Sequence, residues 1–233
     1  MKALLLSAGL GTRLKPITDN LPKVMVPINK KPCIAYHIEN LRNQGIEEMA
    51  INIHYLPEKI RDYFGNGEKF GVKINYSFEP KLLGTAGALN NFREYFNDTF
   101  IVVYADVVAN FNLEDALAVH KKSKGMATIA LDRARPFEGK GLAIKKQDKI
   151  IKFIEKPSQA IADAYINSGF YIANHSILDL IPKGFSDFGK HILPSLAKRG
   201  ELYAYEHKGY IFDIGTITDL KKAEEFLSRE NIN

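Results

Sequence analysis

The stretch that decides the fold is residues 2–32, which read KALLLSAGLGTRLKPITDNLPKVMVPINKKP. It begins with an apolar run, Ala3–Leu6, that is typical of a buried strand. A glycine-rich turn, Ser7–Arg13, follows at once, and such a turn lets backbone N–H groups point at an anion without side-chain obstruction. The opening therefore predicts a strand that ends in a phosphate-binding loop.

Two well-known phosphate loops do not match this turn. A dinucleotide fingerprint needs a small residue at position 14 and an immediate helix, whereas the chain has Leu14 and then Pro16, which interrupts a helix. A Walker A loop needs Gly-Lys-Ser/Thr after four intervening residues, and the turn lacks that ending. What remains is a glycine loop followed by Arg13 and, ten residues later, by Lys23.

The net charge of +5 is concentrated in this opening. Residues 1–31 hold six basic side chains and one acidic side chain, and the other 202 residues hold 26 of each sign. A nucleic-acid-binding protein usually spreads its basic excess over a face or a tail. We therefore expect a compact polyanion such as a nucleotide phosphate as the partner, and no nucleic acid. For Lys30 and Lys31 a role as solvated surface lysines stays open.

Length and composition predict an ordinary globular protein of the cytoplasm. A chain of 233 residues buries about 70% of its surface on folding, which supports a sizeable core. The single cysteine, Cys33, has no internal disulfide partner, which favours a reducing compartment. Ala3–Leu6 is too short for a signal-peptide core, and no run approaches the roughly 18 apolar residues of a membrane span. We expect no membrane association.

Apolar strand-like runs alternate with amphipathic helical segments in the first part of the chain, which predicts a Rossmann-like, mostly parallel sheet flanked by helices. The predicted strands are Ala3–Leu6, Met49–Ile53, Val72–Ser77, Phe100–Tyr104 and Ala127–Leu131. The predicted helices are Ile34–Gln44, Pro57–Phe64, Ala86–Tyr95 and Leu113–Ser123.

After about residue 135 the pattern becomes that of a small α+β annex. Its predicted strands are Leu142–Lys145, Ile150–Glu155, Ile166–Ile172 and a pair around Leu202–Ile211. Its predicted helices are Ile177–Leu180, Phe188–Lys198 and Ile217–Ser228. We expect one domain, 1–233, without an internal repeat.

The motif Gly9-Leu10-Gly11-Thr12-Arg13 with Pro22-Lys23 resembles the signature of the nucleoside-diphosphate-sugar pyrophosphorylases, also called sugar-1-phosphate nucleotidyltransferases. The pattern continues through Pro27 and Lys31-Pro32, and the likeness covers essentially the whole chain. The family converts a nucleoside triphosphate and a hexose or heptose 1-phosphate into a nucleotide-sugar and pyrophosphate. The resemblance implies a GT-A-like fold with a nucleotide-binding part of about 1–135 and a sugar-binding part of about 136–233, and no C-terminal β-helix domain.

The resemblance assigns the nucleotide to the glycine loop, at Leu6, Ser7, Ala8, Gly9, Gly11 and Thr12. It implies two catalytic cations. Arg13 lies along the β- and γ-phosphates, where a guanidinium binds bidentately. Lys23 meets the α-phosphate and the attacking sugar phosphate. A surface salt bridge is the alternative for Arg13.

The segment 79–89, EPKLLGTAGAL, resembles the family's base-recognition segment and is closest in wording to mannose-1-phosphate guanylyltransferases. Guanine presents two adjacent donors that the carboxylate of Glu79 could accept together, whereas uracil or thymine suits a glutamine amide better. Glu79 thus favours GTP, and the alternative that its backbone alone meets the base stays open. Gly84 allows close approach of a flat base, and Thr85 follows it.

Two aspartates match the family's metal ligands. Asp106 ends an apolar strand, where open α/β sheets place their ligands, and Asp213 lies in the segment IFDIGT. Two carboxylates with phosphate oxygens suit Mg²⁺, and no His/Cys cluster favours zinc. Ala105 stands where the family usually has glycine. A helix cap is the alternative role of Asp213.

The sugar is assigned to the annex. Glu155 and Lys156 lie in a Glu-Lys-Pro motif whose acid accepts from sugar hydroxyls and whose lysine, like Lys23, meets the sugar phosphate. Gly141 and Asn167 match further sugar-binding positions. A commonplace surface pair is the alternative for Glu155 and Lys156. A further motif, residues 186–190, matches the guanylyltransferase branch and has no assigned role.

The leading hypothesis is a Mg²⁺-dependent nucleotidyltransferase that prefers GTP and a mannose-1-phosphate-like sugar; uridylyl or thymidylyl transfer is the runner-up. A GT-A glycosyltransferase would normally carry Asp-x-Asp, whereas position 104 is Tyr. A non-catalytic nucleotide-sensing domain is disfavoured because both catalytic cations and both aspartates are present. The sequence identifies neither the sugar nor whether the protein is a monomer or a homo-oligomer.

Overall fold

The computed structural model describes residues 1–133 and 137–232. In these ranges the strands are β1 (Lys2–Leu6), β2 (Pro27–Ile28), β3 (Lys31–Pro32), β4 (Glu48–Ile53), β5 (Lys73–Phe78), β6 (Phe100–Tyr104), β7 (Val107–Ala109), β8 (Ala127–Asp132), β9 (Gly141–Lys146), β10 (Lys149–Glu155), β11 (Tyr165–Ala173), β12 (Leu202–Glu206) and β13 (Ile211–Asp213). The helices are α1 (Cys33–Asn43), α2 (Pro57–Phe64), α3 (Gly84–Gly87), α4 (Leu113–Ser123), α5 (Leu193–Arg199) and α6 (Ile217–Arg229). The predicted mixed α/β class is confirmed.

The chain divides into two compact units that interleave along the sequence. The first unit comprises Met1–Leu82, Val103–Asn110 and Gly209–Asn233, and the second comprises Leu83–Val102 and Phe111–Lys208. The boundary expected near residue 135 falls in residues 134–136, which lie outside the described residues. The assignment of one part to the nucleotide and the other to the sugar stays a prediction.

The sheet of the first unit is parallel. Its strands follow the order β5-β4-β1, with Lys2–Leu6 opposite residues 48–52 and β4 opposite β5 along its whole length. Leu4 and Leu5 are completely buried, as expected of a parallel strand covered on both faces. Because parallel strands end at one edge, β1, β4 and β5 bring their carboxyl ends together there.

The C-terminal segment completes the first unit. β13 pairs antiparallel with β7, so that Asp213 lies opposite Val107. α6 packs its buried side chains, among them Leu220 and Leu227, into the cluster that also holds Cys33. The Cys33 thiol is completely buried and donates to the carbonyl of Ala105 at 3.3 Å, and burial raises the pKa of this thiol.

The sheet of the second unit is mixed. Its order is β11-β8-β12-β10-β9; β8 and β12 are parallel, and the other pairs, including β11 with β9, are antiparallel. α4 and α5 pack on this sheet. The strand pair expected around Leu202–Ile211 is not a pair. β12 joins β8 and β10, whereas β13 belongs to the first unit and pairs with β7.

Three predicted helices differ in form, and the one expected at Ile177–Leu180 is a 3-10 helix, His175–Leu180. The helix expected at Ala86–Tyr95 is the short α3 followed by a 3-10 helix, Ala88–Phe92. The N–H groups of Ala86 and Gly87 both donate to the carbonyl of Ser186, at 3.0 and 2.9 Å, so a distant segment shapes this turn. The helix expected at Phe188–Lys198 begins as a π-helical turn and becomes α-helical at Leu193.

Among the described residues, no helix combines the length and the apolar character needed to cross a membrane.

Candidate active site

The glycine loop has a shape that requires glycine at position 11. Gly11 has φ +65°, and a Cβ there would lie 2.9 Å from Cβ of Lys23. The Gly11 carbonyl accepts from Thr18 Oγ1 at 2.8 Å and from the N–H of Leu14 at 3.0 Å. A larger residue would therefore strain the backbone and push against Lys23. Thr18, which sequence reasoning missed, holds the loop in place through its hydrogen bond to the Gly11 carbonyl.

Lys23 lies between the two predicted metal ligands. Its Nζ contacts Asp106 Oδ2 at 2.7 Å and Asp213 Oδ1 at 3.5 Å, and its side chain is only 8% exposed. Burial acts to lower the pKa of Lys23, but the neighbouring carboxylates of Asp106 and Asp213 outweigh burial, so this pKa is raised. The ammonium is thus charged over the whole physiological pH range. We call these three residues the Lys23 cluster.

The fold brings the two aspartates together through strand pairing. Asp106 directly precedes β7, and Asp213 ends β13, the antiparallel partner of β7. The N–H of Ile214 donates to the backbone carbonyl of Asp106 at 3.4 Å. The alternative role of Asp213 as a helix cap is not observed, because α6 is capped by Thr216, whose Oγ1 accepts from the N–H of Asp219 at 3.2 Å.

The Lys23 cluster fits a hard divalent cation. Its two carboxylate oxygens contact one ammonium, so they lie no more than about 6 Å apart and already face a positive charge. Within the part of the chain that the structure describes, no group of three or more His, Cys, Asp or Glu side chains could hold a metal. Mg²⁺ typically takes only one or two protein carboxylates and completes its shell with phosphate oxygens and water. The donor set therefore suits Mg²⁺ bound together with a phosphate.

Arg13 is exposed next to the Lys23 cluster's C-terminal strand. A Cβ at Gly215 would lie 3.3 Å from both terminal nitrogens of the Arg13 guanidinium, so the guanidinium lies against a bare backbone. In residues 1–133 and 137–232, Arg13 makes no ion pair, so the predicted alternative of a surface salt bridge is not observed. The side chain is exposed, so its guanidinium can offer N–H donors to an anion.

A buried hydrogen-bond chain supports the glycine loop, and sequence reasoning missed its central residue. The N–H of Ser7 donates to Asn52 Oδ1 at 2.8 Å, and Asn52 Nδ2 donates to Glu79 Oε1 at 2.8 Å. Glu79 is only 1% exposed, and its carbonyl contacts His54 Nδ1 at 2.7 Å. The signal in the sequence was an asparagine inside the otherwise apolar run Met49–Ile53. This chain ties the ends of β1, β4 and β5 together.

The second unit holds the predicted base turn, Leu83–Gly87. Gly84 has φ +77°, and a Cβ there would lie 2.4 Å from the carbonyl oxygen of Ser186. The N–H of Ser186 donates to the Leu83 carbonyl at 2.8 Å. Thr85 Oγ1 accepts the N–H of Phe188 at 2.9 Å. The turn is therefore shaped by backbone contacts with residues about a hundred positions further along the chain.

The predicted sugar residues of the second unit also lie together. Glu155 and Gly141 are cross-strand partners in β10 and β9. A Cβ at Gly141 would lie 2.9 Å from Glu155 Oε2, and a Cβ at Gly189 would lie 2.1 Å from the same oxygen. We call Gly141, Glu155 and Gly189 the Glu155 cluster. Burial raises the pKa of Glu155, the carboxylate of Asp187 adds to this rise, and the ammonium groups of Lys156 and Lys190 oppose it.

Asn167 and Lys156 occupy different surroundings from Glu155. Asn167 Nδ2 donates to Tyr171 Oη at 2.7 Å, and its Oδ1 accepts from the N–H of Gly169 at 3.2 Å. β11 pairs with β9 at Tyr165 and Ile166, so Asn167 continues the strand towards Gly141. Lys156 Nζ lies 3.7 Å from Glu155 Oε1 with its side chain 62% exposed, as a lysine that meets a soluble anion would.

Comparison with known proteins identifies the class. The chain belongs to the nucleotidyl transferase family, whose model matches residues 2–230. This confirms the resemblance inferred from the glycine loop and Lys23.

Two curated relatives share more than a third of their aligned residues with this chain. A UTP–glucose-1-phosphate uridylyltransferase from Synechocystis is 36% identical over 99% of the chain and 64% of its own length. The catalytic subunit beta of mannose-1-phosphate guanylyltransferase from Dictyostelium discoideum is 37% identical over 94% of the chain and 62% of its own length. The chain thus spans a little under two thirds of these relatives.

A solved structure has the same fold. The crystal structure of HddC from Yersinia pseudotuberculosis complexed with GMP-PN superimposes with a TM-score of 0.81 and 28% identity, over 97% of this chain and 99% of HddC. The residue roles given above for the loop, the Lys23 cluster and the Glu155 cluster remain predictions.

Proposed function

We propose that the protein is a sugar-1-phosphate nucleotidyltransferase, which joins a nucleoside triphosphate and a hexose or heptose 1-phosphate into a nucleotide-sugar and releases pyrophosphate. The observation that carries this proposal is the convergence of Asp106 and Asp213 on Lys23, in a chain of the nucleotidyl transferase family. These three side chains supply one fixed cation and two hard acceptors, which a reaction between two phosphates needs.

Lys23 meets the phosphates as a point charge. An ammonium carries three donors, and the contacts with Asp106 and Asp213 use two of them. The third donor is directed to an oxygen of the α-phosphate or of the attacking sugar phosphate. Since two anions must approach each other, neutralising their charge and holding them in line lowers the barrier. No proton transfer by Lys23 is required.

Arg13 binds the part of the nucleotide that leaves. Its exposed guanidinium presents a planar fork of donors that matches two phosphate oxygens, and it stays charged at every working pH. Placed along the β- and γ-phosphates, it stabilises the charge that develops on pyrophosphate as the bond to the α-phosphorus breaks. The glycine loop binds the triphosphate through backbone N–H groups.

Asp106 and Asp213 are the residues that would hold Mg²⁺. When bound, the ion supplies charge neutralisation and orientation of the phosphate oxygens. The two carboxylates hold Lys23 in place as well, so the same pair positions both kinds of positive charge.

The sugar is recognised by residues of the second unit. The Glu155 carboxylate accepts hydrogen bonds from sugar hydroxyls, and it does so in its ionised form. Gly141 lets the Glu155 carboxylate and the Phe153 ring pack directly against the backbone of β9, since a Cβ there would lie 2.9 Å from Glu155 Oε2 and 2.6 Å from the Phe153 ring. Asn167 adds a polar contact, and the exposed ammonium of Lys156 binds the sugar phosphate.

GTP and mannose 1-phosphate are the substrates that we favour. Support comes from the Leu-Gly-Thr-Ala-Gly wording of residues 83–87, from the Dictyostelium relative named as a mannose-1-phosphate guanylyltransferase, and from the HddC complex with GMP-PN. Glu79 is buried, its Oε1 accepts from Asn52, its N–H donates to the Ile53 carbonyl and its carbonyl contacts His54 Nδ1, so the choice of GTP rests on these three observations and not on a base contact by Glu79. The uridylyltransferase from Synechocystis keeps uridylyl transfer as the second candidate.

The reaction is expected in the cytoplasm, where both substrates are soluble, without a nucleic-acid or membrane partner. It is tested by measuring pyrophosphate release from the four nucleoside triphosphates against mannose, glucose, N-acetylglucosamine and heptose 1-phosphates in Mg²⁺. We expect turnover with GTP and mannose 1-phosphate. Absence of turnover with every pair would reject the proposal, and a preference for UTP would reject only the choice of base.

A matched pair of variants ties the activity to the cluster. Asp106→Asn removes a carboxylate that contacts Lys23 and should lower kcat about a hundredfold or more. Asp19→Asn removes an exposed carboxylate that pairs with Lys15 at 3.1 Å, and it should leave kcat unchanged.

A further inference from the structure

The segment Gly184–Lys190, here called the connecting segment, contacts both groups of predicted site residues in the second unit. It contains the motif Ser186–Lys190, to which the proposed reaction assigns no step. We propose that the connecting segment positions the sugar-binding residues Glu155 and Asn167 with respect to the base turn, so that sugar recognition depends on the conformation of Leu83–Gly87. This inference rests on the proposed function for the identity of the two ligands.

At the base turn, the contacts of the connecting segment are made by backbone atoms. The carbonyl of Ser186 accepts the N–H groups of Ala86 and Gly87, and its own N–H donates to the Leu83 carbonyl. The N–H of Phe188 donates to Thr85 Oγ1 at 2.9 Å. Four hydrogen bonds therefore join two short stretches of chain, and neither can move by much without breaking several of them.

Glycines bring these stretches into unusually close contact. A Cβ at Gly87 would lie 2.5 Å from the carbonyl oxygen of Gly184, just as a Cβ at Gly84 would clash with that of Ser186. The backbones touch with no side chain between them to absorb a displacement. A shift of the base turn by half an ångström must therefore move the connecting segment too.

At the sugar-binding residues, the connecting segment makes two separate contacts. Gly189 lies against the Glu155 carboxylate, and a methyl group there would come within 2.1 Å of Oε2. Phe188 packs edge-to-face on Tyr171 with ring centroids 5.2 Å apart, and Tyr171 Oη accepts from Asn167. Gly189 thus contacts Glu155 directly, and its neighbour Phe188 contacts Asn167 indirectly, through Tyr171.

The conformation between these contacts is fixed locally. Asp187 Oδ1 accepts from the N–H groups of Gly189 and Lys190, and the Asp187 N–H donates to His191 Nδ1 at 2.9 Å. The segment is largely buried at Ser186, Phe188 and Gly189. Packed backbone contacts of this kind, made by a segment that is buried at these three residues, can carry energetic coupling between two ligand-binding regions.

The test is Thr85→Val, which keeps the shape of the side chain and removes the acceptor of the Phe188 N–H. We expect hydrogen exchange of the Phe188 amide to accelerate about fivefold, the effect of losing one neutral hydrogen bond. With GTP saturating, the KM for mannose 1-phosphate should rise about fivefold, and by more than the KM for GTP does.

Two variants make the result specific. Thr85→Ser keeps the acceptor and should restore both the exchange rate and the sugar KM. Ser186→Ala removes a buried hydroxyl that has no hydrogen-bond partner in the described part of the chain, while it keeps the backbone contacts, so Phe188 exchange should not change.

The exchange measurement needs no turnover, so it separates this inference from the proposed function. Unchanged Phe188 exchange in Thr85→Val would overturn the inference even in an active enzyme. A rise confined to the KM for GTP would overturn it as well, because Thr85 would then act only on the nucleotide.

Discussion

In the Lys23 cluster three charged side chains hold one another, whereas in the Glu155 cluster a single carboxylate lies against two glycines. The first arrangement is built from side-chain charge: the two carboxylates contact the ammonium and, against the effect of burial, raise the pKa of Lys23. The second is built from backbone and from the absence of side chains at Gly141 and Gly189. Removing a charge should therefore damage the first, and adding a methyl group should damage the second.

The largest effect is expected from removing a cation of the first unit. Arg13→Ala and Lys23→Ala should each lower kcat about a hundred- to a thousandfold, because the developing phosphate charge loses a fixed partner. Lys2→Ala, which breaks a surface pair with Glu48 at 3.6 Å, is the control and should keep the wild-type rate. A wild-type kcat in Arg13→Ala would remove this residue from catalysis.

A buried histidine, His37, makes the stability of the first unit depend on pH. His37 Nε2 donates to the carbonyl of Val107, and burial lowers the pKa of His37 to about 4. Below pH 6.5 the His37 side chain binds a proton in the unfolded chain but not in the folded chain. The free energy of unfolding therefore falls as the pH drops from 6.5 to about 4, by about 3 kcal/mol in all.

The comparison of His37→Gln with wild type by urea unfolding at pH 7, 6, 5 and 4 isolates this contribution. The amide keeps a donor for Val107 and has no proton to gain, so the variant should lose less stability over this range. Parallel pH profiles in the two proteins would mean that His37 is protonated in the folded state.

Asn52 tests whether the first unit also relies on uncharged contacts. Asn52→Ala leaves the buried N–H of Ser7 and the buried Glu79 carboxylate without this partner, which should cost about 3 kcal/mol in the free energy of unfolding. Asn43→Ala, at an exposed position, should change stability by less than about 0.5 kcal/mol. Equal stability of the two variants would show that the chain from Ser7 to Glu79 contributes nothing to the fold.

The smallest effect should come from a methyl group in the second unit. Gly84→Ala and Gly139→Ala both place alanine at positive φ, but only at Gly84 would the Cβ clash, 2.4 Å from the Ser186 carbonyl. We expect Gly84→Ala to be about 2 kcal/mol less stable than Gly139→Ala in urea unfolding. If both variants lost similar amounts of stability, backbone strain alone would explain the loss at Gly84, and close packing of the turn would be contradicted.

The sequence predicted a helix correctly where residues next to it set its ends, and failed where a distant residue did. The bounds of α2 and α4 were predicted to the residue, because Pro57 and Gly65 delimit the first and Asn112 caps the second. The helix expected at Ala86–Tyr95 was broken by the Ser186 carbonyl, which takes two of its N–H groups from a distance of about a hundred residues. No local pattern encodes such a contact.

The same distinction holds for the site. Arg13, Lys23 and the two aspartates were predicted from motifs, and the structure brings Lys23 into contact with both aspartates, while the roles of these residues stay predictions. The support from Thr18 and Asn52 was missed, because a single polar residue in the sequence does not reveal its partner. The close contact of Gly189 with Glu155 joins residues 34 positions apart and emerges only when both strands and the π-helical turn are in place.

The burial of Cys33 has a practical consequence. Cys33 is the only thiol in the chain, it is completely buried with a raised pKa, and it donates to the carbonyl of Ala105, so it should not react with an aromatic disulfide reagent while the first unit stays folded. The rate at which Cys33 is labelled therefore measures how often the core around it opens. A nucleotide that binds the folded chain should lower this labelling rate in proportion to its occupancy.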